Sequence, residues 1–127
     1  MAEIKRVERP LSPHLQIYRM PLTAVSSILT RITGLGLILG VVLATWWLFA
    51  AALSPDDFAV ANAVATSWFG DLVFAGSAWA LWYHYLSGLR HLYTDAGHGL
   101  DKTTADKLAW GVIIGSVVLT LVTILIV

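Results

Sequence analysis

Twenty-four consecutive residues, from Ile32 to Pro55, carry no charged side chain, and runs of 18 (Leu72–Leu89) and 20 (Leu108–Val127) repeat the pattern. As a helix rising 1.5 Å per residue, the part of the first run ahead of its proline reaches roughly 35 Å, more than the ~30 Å hydrocarbon core of a bilayer. Composition supports a membrane reading. Of 127 residues, 57% are hydrophobic and 13% charged, and the mean hydropathy is +0.74. A soluble domain of this size has too little interior to hide that much apolar surface. Eight basic and eight acidic residues cancel, which excludes the basic footprint of a nucleic-acid binder. High hydrophobicity with low charge excludes disorder. No cysteine is present, so the chain holds no disulfide, thiolate metal site, iron–sulfur cluster or thioether-linked haem.

The expectation is an all-α membrane protein forming one transmembrane domain over residues 1–127, with helices at about 22–53, 65–94 and 105–126. Pro21 suits a first helical turn, where its missing N–H costs little. Ser54-Pro55-Asp56-Asp57 reads as the turn that ends the first helix. Gly97-His98-Gly99 breaks the chain after the second. Thr103-x-x-Asp106 resembles a capping box opening the third. Gly36-x-x-x-Gly40 and Gly111-x-x-x-Gly115 have the small-residue spacing that lets membrane helices approach closely. Residues 1–21 read as a cytoplasmic arm: the prolines of Arg9-Pro10-Leu11-Ser12-Pro13-His14 forbid regular helix. The arm lacks a signal peptide's apolar core and a transit peptide's Arg/Ser-rich character, which points to a bacterial inner membrane.

Neutrality conceals an asymmetry. Residues 1–31 carry a net charge of +3, residues 32–89 carry −3, and residues 90–127 hold three charges of each sign. The first interhelical loop has Asp56, Asp57 and Asp71 but no Lys or Arg, whereas Arg90, Lys102 and Lys107 flank the second. The positive-inside rule then puts the N-terminus in the cytoplasm and the C-terminus in the periplasm. Trp46, Trp47 and Trp68 fall near the outer interface and Trp110 near the inner one.

Two polar groups lie at the cytoplasmic ends of the first two helices. Ser27 and Arg31, spaced i,i+4, share one face. By spacing alone Arg31 fits either a lipid-anchoring side chain that snorkels to phosphate or a pocket residue. On the second helix, His84 lies six residues before Arg90, about 9 Å deeper in the bilayer. An ionisable residue at that depth raises a functional-site hypothesis. His91 follows two turns later on the same face, with Gly88 leaving a side-chain-free patch between them. That face suits a flat macrocycle, with His84 on the iron of a haem and His91 and an arginine near its propionates. The alternative is a histidine hydrogen-bonded to a neighbouring helix. A bis-ligated haem also needs a second axial donor. The first and third helices contain no His, and the only methionines are Met1 and Met20. If His84 binds haem, the other ligand comes from another chain. His14 and His98 lie outside the spans and receive no role.

Three motifs resemble the cytochrome b subunit of succinate dehydrogenase, respiratory complex II. They are the arm from Arg9 to Tyr18, Ser27-Ile28-Leu29-Thr30-Arg31-Ile32-Thr33-Gly34, and His84-x-x-x-Gly88-Leu89-Arg90-His91-Leu92-x-x-Asp95. The resemblance covers nearly the whole chain. It implies half of a heterodimeric helical bundle, completed by a second membrane-anchor subunit that supplies the other haem histidine. The remaining partners are a flavoprotein with covalent FAD and an iron–sulfur subunit, besides membrane lipid. It further implies haem b on His84, His91 and Arg31 near the propionates, Ser27 and Arg31 at the ubiquinone site, and Asp95 near the quinone pocket. Thr30 departs from the family pattern, which usually has histidine there. The implied function is succinate:ubiquinone oxidoreduction, linking the citric acid cycle to the respiratory chain. A fumarate reductase-type anchor is the nearest alternative, and a non-redox membrane scaffold is one of another class.

Overall fold

The computed structural model describes residues 16–127, and the arm motif from Arg9 to His14 lies outside them. Among the described residues all regular structure is helical: α1 (Leu22–Leu53), α2 (Pro55–Ala65), α3 (Trp68–Asp95) and α4 (Lys102–Ile126). α1 and α4, with 32 and 25 residues, are each long and apolar enough to cross a membrane. α3 has 28 residues, about 42 Å of helix. It is less apolar because its C-terminal half carries Tyr83, His84, Tyr85 and Ser87. The expected all-α architecture with three spans is therefore present. α3 is the central element, packed along α1 on one side and α4 on the other.

The interior is built from small side chains. Ala50, Ala61, Ala65, Ala80 and Ala109 are buried together with Ser26, Thr33, Ser87, Ser116 and Thr120. Most large apolar residues, such as Leu35, Leu39, Leu48, Leu72, Leu121 and Leu125, point outward. In water this arrangement would be inside out. In lipid, where tails are as apolar as leucine, helices associate by close backbone approach, and small residues permit it. A Cβ added at Gly40 would collide with the side chain of Ser77, so this glycine sets the α1–α3 approach. At Gly115 an added Cβ would lie 3.1 Å from Leu86, setting the α3–α4 approach. Gly36 and Gly111 face open space, so only one glycine of each four-residue pair lies at a helix contact.

The turn expected at Ser54–Asp57 is instead the start of a helix. Ser54 ends α1 and caps α2, its Oγ accepting the Asp57 N–H at 3.1 Å. Pro55 stands at the first helical position, and Asp56 and Asp57 occupy the first turn, where acidic groups complement the helix dipole. α2 meets α3 at a bend of 70°. Trp47 Nε1 holds it to α1 by donating to Asn62 Oδ1 at 3.1 Å, and the Trp47 and Phe58 rings pack at 5.6 Å. Gly97 and Gly99 take positive φ values of 84° and 65° in the α3–α4 turn, a backbone region that costs glycine little.

The cap of α4 also differs from expectation. Asp101, not Thr103, is the N-cap, its Oδ2 accepting the Thr104 N–H at 2.9 Å. Asp106 turns away to pair with Lys102 at 3.1 Å. The Thr104 hydrogen bonds hold the Asp101 carboxyl below its ordinary range, with Lys107 a lesser contributor. The cap therefore acts fully above the ordinary carboxylate pKa and is lost as pH falls through the lowered value. Asp101→Ala is expected to speed amide hydrogen exchange several-fold at Thr104 and its neighbours in the first turn of α4, whereas Asp101→Asn stays near the parent rate. Equal exchange in all three forms would exclude the capping role.

Candidate functional site

The polar residues of α1 recur at Thr23, Ser26, Thr30 and Thr33, and this stripe faces α3. Ser26 is fully buried and is the hub of the interface. Its Oγ donates to the Thr23 carbonyl at 3.0 Å and accepts from Arg90 Nη1 at 2.6 Å. Its carbonyl accepts the Tyr83 hydroxyl at 3.0 Å and the Thr30 hydroxyl at 2.9 Å. Thr30 has one hydroxyl proton, already given to that carbonyl, so in the 2.5 Å contact between them Ser87 donates and Thr30 accepts. No buried side-chain polar atom among the described residues lacks a partner. A fully paired network at membrane depth fixes the register of α1 against α3, since an unpaired group in lipid costs several kcal/mol or about that.

Register in turn places the exposed side chains. Ser27, Arg31, His84, Gly88 and His91 line one cavity of about 370 Å³, together with Thr30, Ser87, Arg90 and Thr94. The four residues singled out from spacing thus share one pocket. Ser27 and Arg31 make no side-chain hydrogen bond or ion pair among the described residues, which leaves the Ser27 hydroxyl and the Arg31 guanidinium available to a ligand. His91 Nδ1 lies 3.5 Å from Asp95 Oδ1, both side chains being largely exposed at the helix end. His98, outside the pocket, stacks on Tyr93 at 5.1 Å.

His84 is held in a defined orientation. Its Nδ1 lies 3.1 Å from the Thr30 carbonyl oxygen. A carbonyl only accepts, so this contact puts a proton on Nδ1, and in the neutral tautomer that makes it the lone pair is on Nε2. A metal-ligating histidine commonly has this arrangement, one ring N–H bound to a carbonyl and the other nitrogen on the metal. Gly34 makes the approach possible: a Cβ there would lie 3.2 Å from His84 Cε1. A Cβ at Gly88 would meet nothing within 4 Å, so the patch beside His84 and His91 is open. These features fit a flat iron macrocycle. Among the described residues there is no group of three or more His, Cys, Asp or Glu able to hold a metal ion. His84 stands outside any such group.

Sequence reasoning missed Ser26, Tyr83 and Ser87. The signal was the 3–4–3 spacing of hydroxyl residues on α1, a polar face too regular for a lipid-facing surface. Thr30 meets His84 through its carbonyl and Ser87 through its hydroxyl.

Helical spans, a small-residue interior and a polar pocket open on one face define an integral membrane protein with a candidate binding site between two of its helices. The family described as succinate dehydrogenase/fumarate reductase transmembrane subunit matches residues 5–123, and the chain belongs to it. The succinate dehydrogenase cytochrome b556 subunit of Paracoccus denitrificans is 56% identical over 126 residues, spanning 99% of this chain and 97% of that protein. Its counterpart from Rickettsia felis is 32% identical over 114 residues, spanning 90% and 89%. The mitochondrial cytochrome b560 subunit of Dictyostelium discoideum is 39% identical over 97 residues, spanning 73% of this chain and 48% of that protein.

Proposed function

We propose that this chain is the haem b-binding anchor of a succinate dehydrogenase and forms part of its ubiquinone-reduction site. The observation that carries the proposal is His84: a histidine at membrane depth, exposed on the isolated chain, with Nδ1 tied to the Thr30 carbonyl and Nε2 left free. Such a side chain facing lipid would be costly without an occupant. The names of the relatives, succinate dehydrogenase cytochrome b subunits, support haem binding by a chain of this family. They also favour succinate oxidation over the fumarate reductase alternative that the family description includes.

His84 would hold the haem iron, with His91 and Arg31 toward the propionates. When bound, haem b supplies a one-electron carrier. Helices α1 and α4 contain no histidine, so a second histidine for the haem iron would come from a second anchor subunit. Ser27 binds the quinone substrate by donating its hydroxyl proton to a quinone carbonyl, a bond that strengthens as that oxygen gains charge. Arg31 stays protonated and offers a fork of N–H donors to the same oxygen. Both lie toward the cytoplasmic end by the positive-inside argument. Succinate oxidation, FAD and the iron–sulfur clusters belong to the other subunits.

Purification of the intact membrane complex tests this reading. It is expected to contain four subunits, to show a reduced-minus-oxidised spectrum of a low-spin b-type haem with two histidine ligands, and to reduce ubiquinone with succinate. A complex without haem, or one in which this chain purifies alone, would refute it.

A further inference from the structure

A second groove lies between α3 and α4, at the same end of the bundle but on the other side of Arg90. Its polar rim is Arg90, Lys107 and Tyr93, and its walls are Leu86, Leu108 and Val112. It encloses about 300 Å³. Arg90 is five residues from the end of α3 and Lys107 five from the start of α4. At 1.5 Å per residue both lie roughly 7–8 Å in from their helix ends, so the two cations share one level. Below that level the groove is apolar. Gly111 leaves an open space in its wall, and the helices close again where Gly115 meets Leu86.

The two cations have no acidic partner among the described residues. Asp106 is engaged by Lys102, Asp95 by His91, and the Asp101 carboxylate accepts the Thr104 N–H. Arg90 spends one N–H on Ser26, which leaves the rest of a five-donor fork. Two basic side chains and a phenol at the headgroup level, above a tapering apolar cleft, match a phosphodiester with acyl chains beneath it. A free phosphate would use the rim and leave the cleft unexplained.

We propose that the α3–α4 groove binds an anionic phospholipid, its phosphate between Arg90 and Lys107 and an acyl chain along Leu86, Leu108 and Val112. The groove shares Arg90 with the pocket around Ser27 and His84, whereas Lys107 lines the groove alone. Lys107 is the variant of choice, because it lies outside that pocket and makes no hydrogen bond or ion pair among the described residues.

The test is native mass spectrometry of the intact complex titrated with phosphatidylglycerol or phosphatidylcholine. The parent complex is expected to bind phosphatidylglycerol preferentially. Lys107→Gln is expected to weaken that binding about fivefold, the effect of one basic residue near an anionic headgroup. Lys107→Arg is expected to restore it, with subunit composition and succinate oxidation by an artificial acceptor unchanged throughout. Excess inorganic phosphate is expected not to displace the lipid. Equal phosphatidylglycerol binding by parent and Lys107→Gln would overturn the proposal, as would absence of preference over phosphatidylcholine. Displacement by phosphate would overturn it in favour of a simple anion site.

Discussion

Ser27→Ala is expected to lower succinate-driven ubiquinone reduction by roughly 10²-fold, the scale set by removing one donor from a developing oxyanion. Succinate oxidation measured with an artificial acceptor is expected to stay at the parent rate. The contrast is sharp because Ser27 makes no side-chain hydrogen bond among the described residues, so the substitution removes a ligand contact and no structural one seen there. Its neighbour Ser26 is the opposite case: it ties Arg90, Tyr83 and Thr30 into the α1–α3 interface. Ser26→Ala is a poor probe of chemistry for that reason. Equal loss of both activities in Ser27→Ala would indicate failed assembly and remove Ser27 from the quinone site.

His84→Ala is expected to abolish the bis-histidine signature of the b-type haem in the purified complex. Gly34→Leu provides a check that leaves the ligand in place. A leucine there starts from a Cβ 3.2 Å from His84 Cε1 and drives the ring off the Thr30 carbonyl. It is expected to shift the haem spectrum and reduction potential while retaining His84. An unchanged spectrum in His84→Ala would defeat the ligand assignment. An unchanged spectrum in Gly34→Leu alone would leave the ligand and discard the role of the Thr30 contact.

The three spans were legible because a bilayer imposes a length and a polarity on each segment, and both are local properties of the chain. The four pocket residues were legible for a similar reason. Ser27 with Arg31, and His84 with His91, each share a face of one helix, so spacing alone aligns them. What stayed hidden depended on relations between segments. The hydroxyl spacing marks the face of α1 that carries Ser26, but nothing local says that its turn lies opposite Tyr83 and Arg90. α2 escaped for another reason. Pro, Asp and Asp after Ser suit both a turn and the first turn of a capped helix, and packing of Phe58 and Asn62 on Trp47 decides between them. At α4, Thr103-x-x-Asp106 matched a capping pattern, yet Asp101 reached the free N–H groups first and Asp106 was drawn to Lys102.

The exposed face bearing Arg31, His84 and His91 has a consequence for the cell. Until a partner covers it, a newly inserted copy presents ionisable side chains toward lipid, and a single arginine or histidine there carries a penalty of up to a few kcal/mol (~3 for an arginine at mid-bilayer). A copy with this face covered is therefore expected to be more stable in the bilayer than one with it open to lipid.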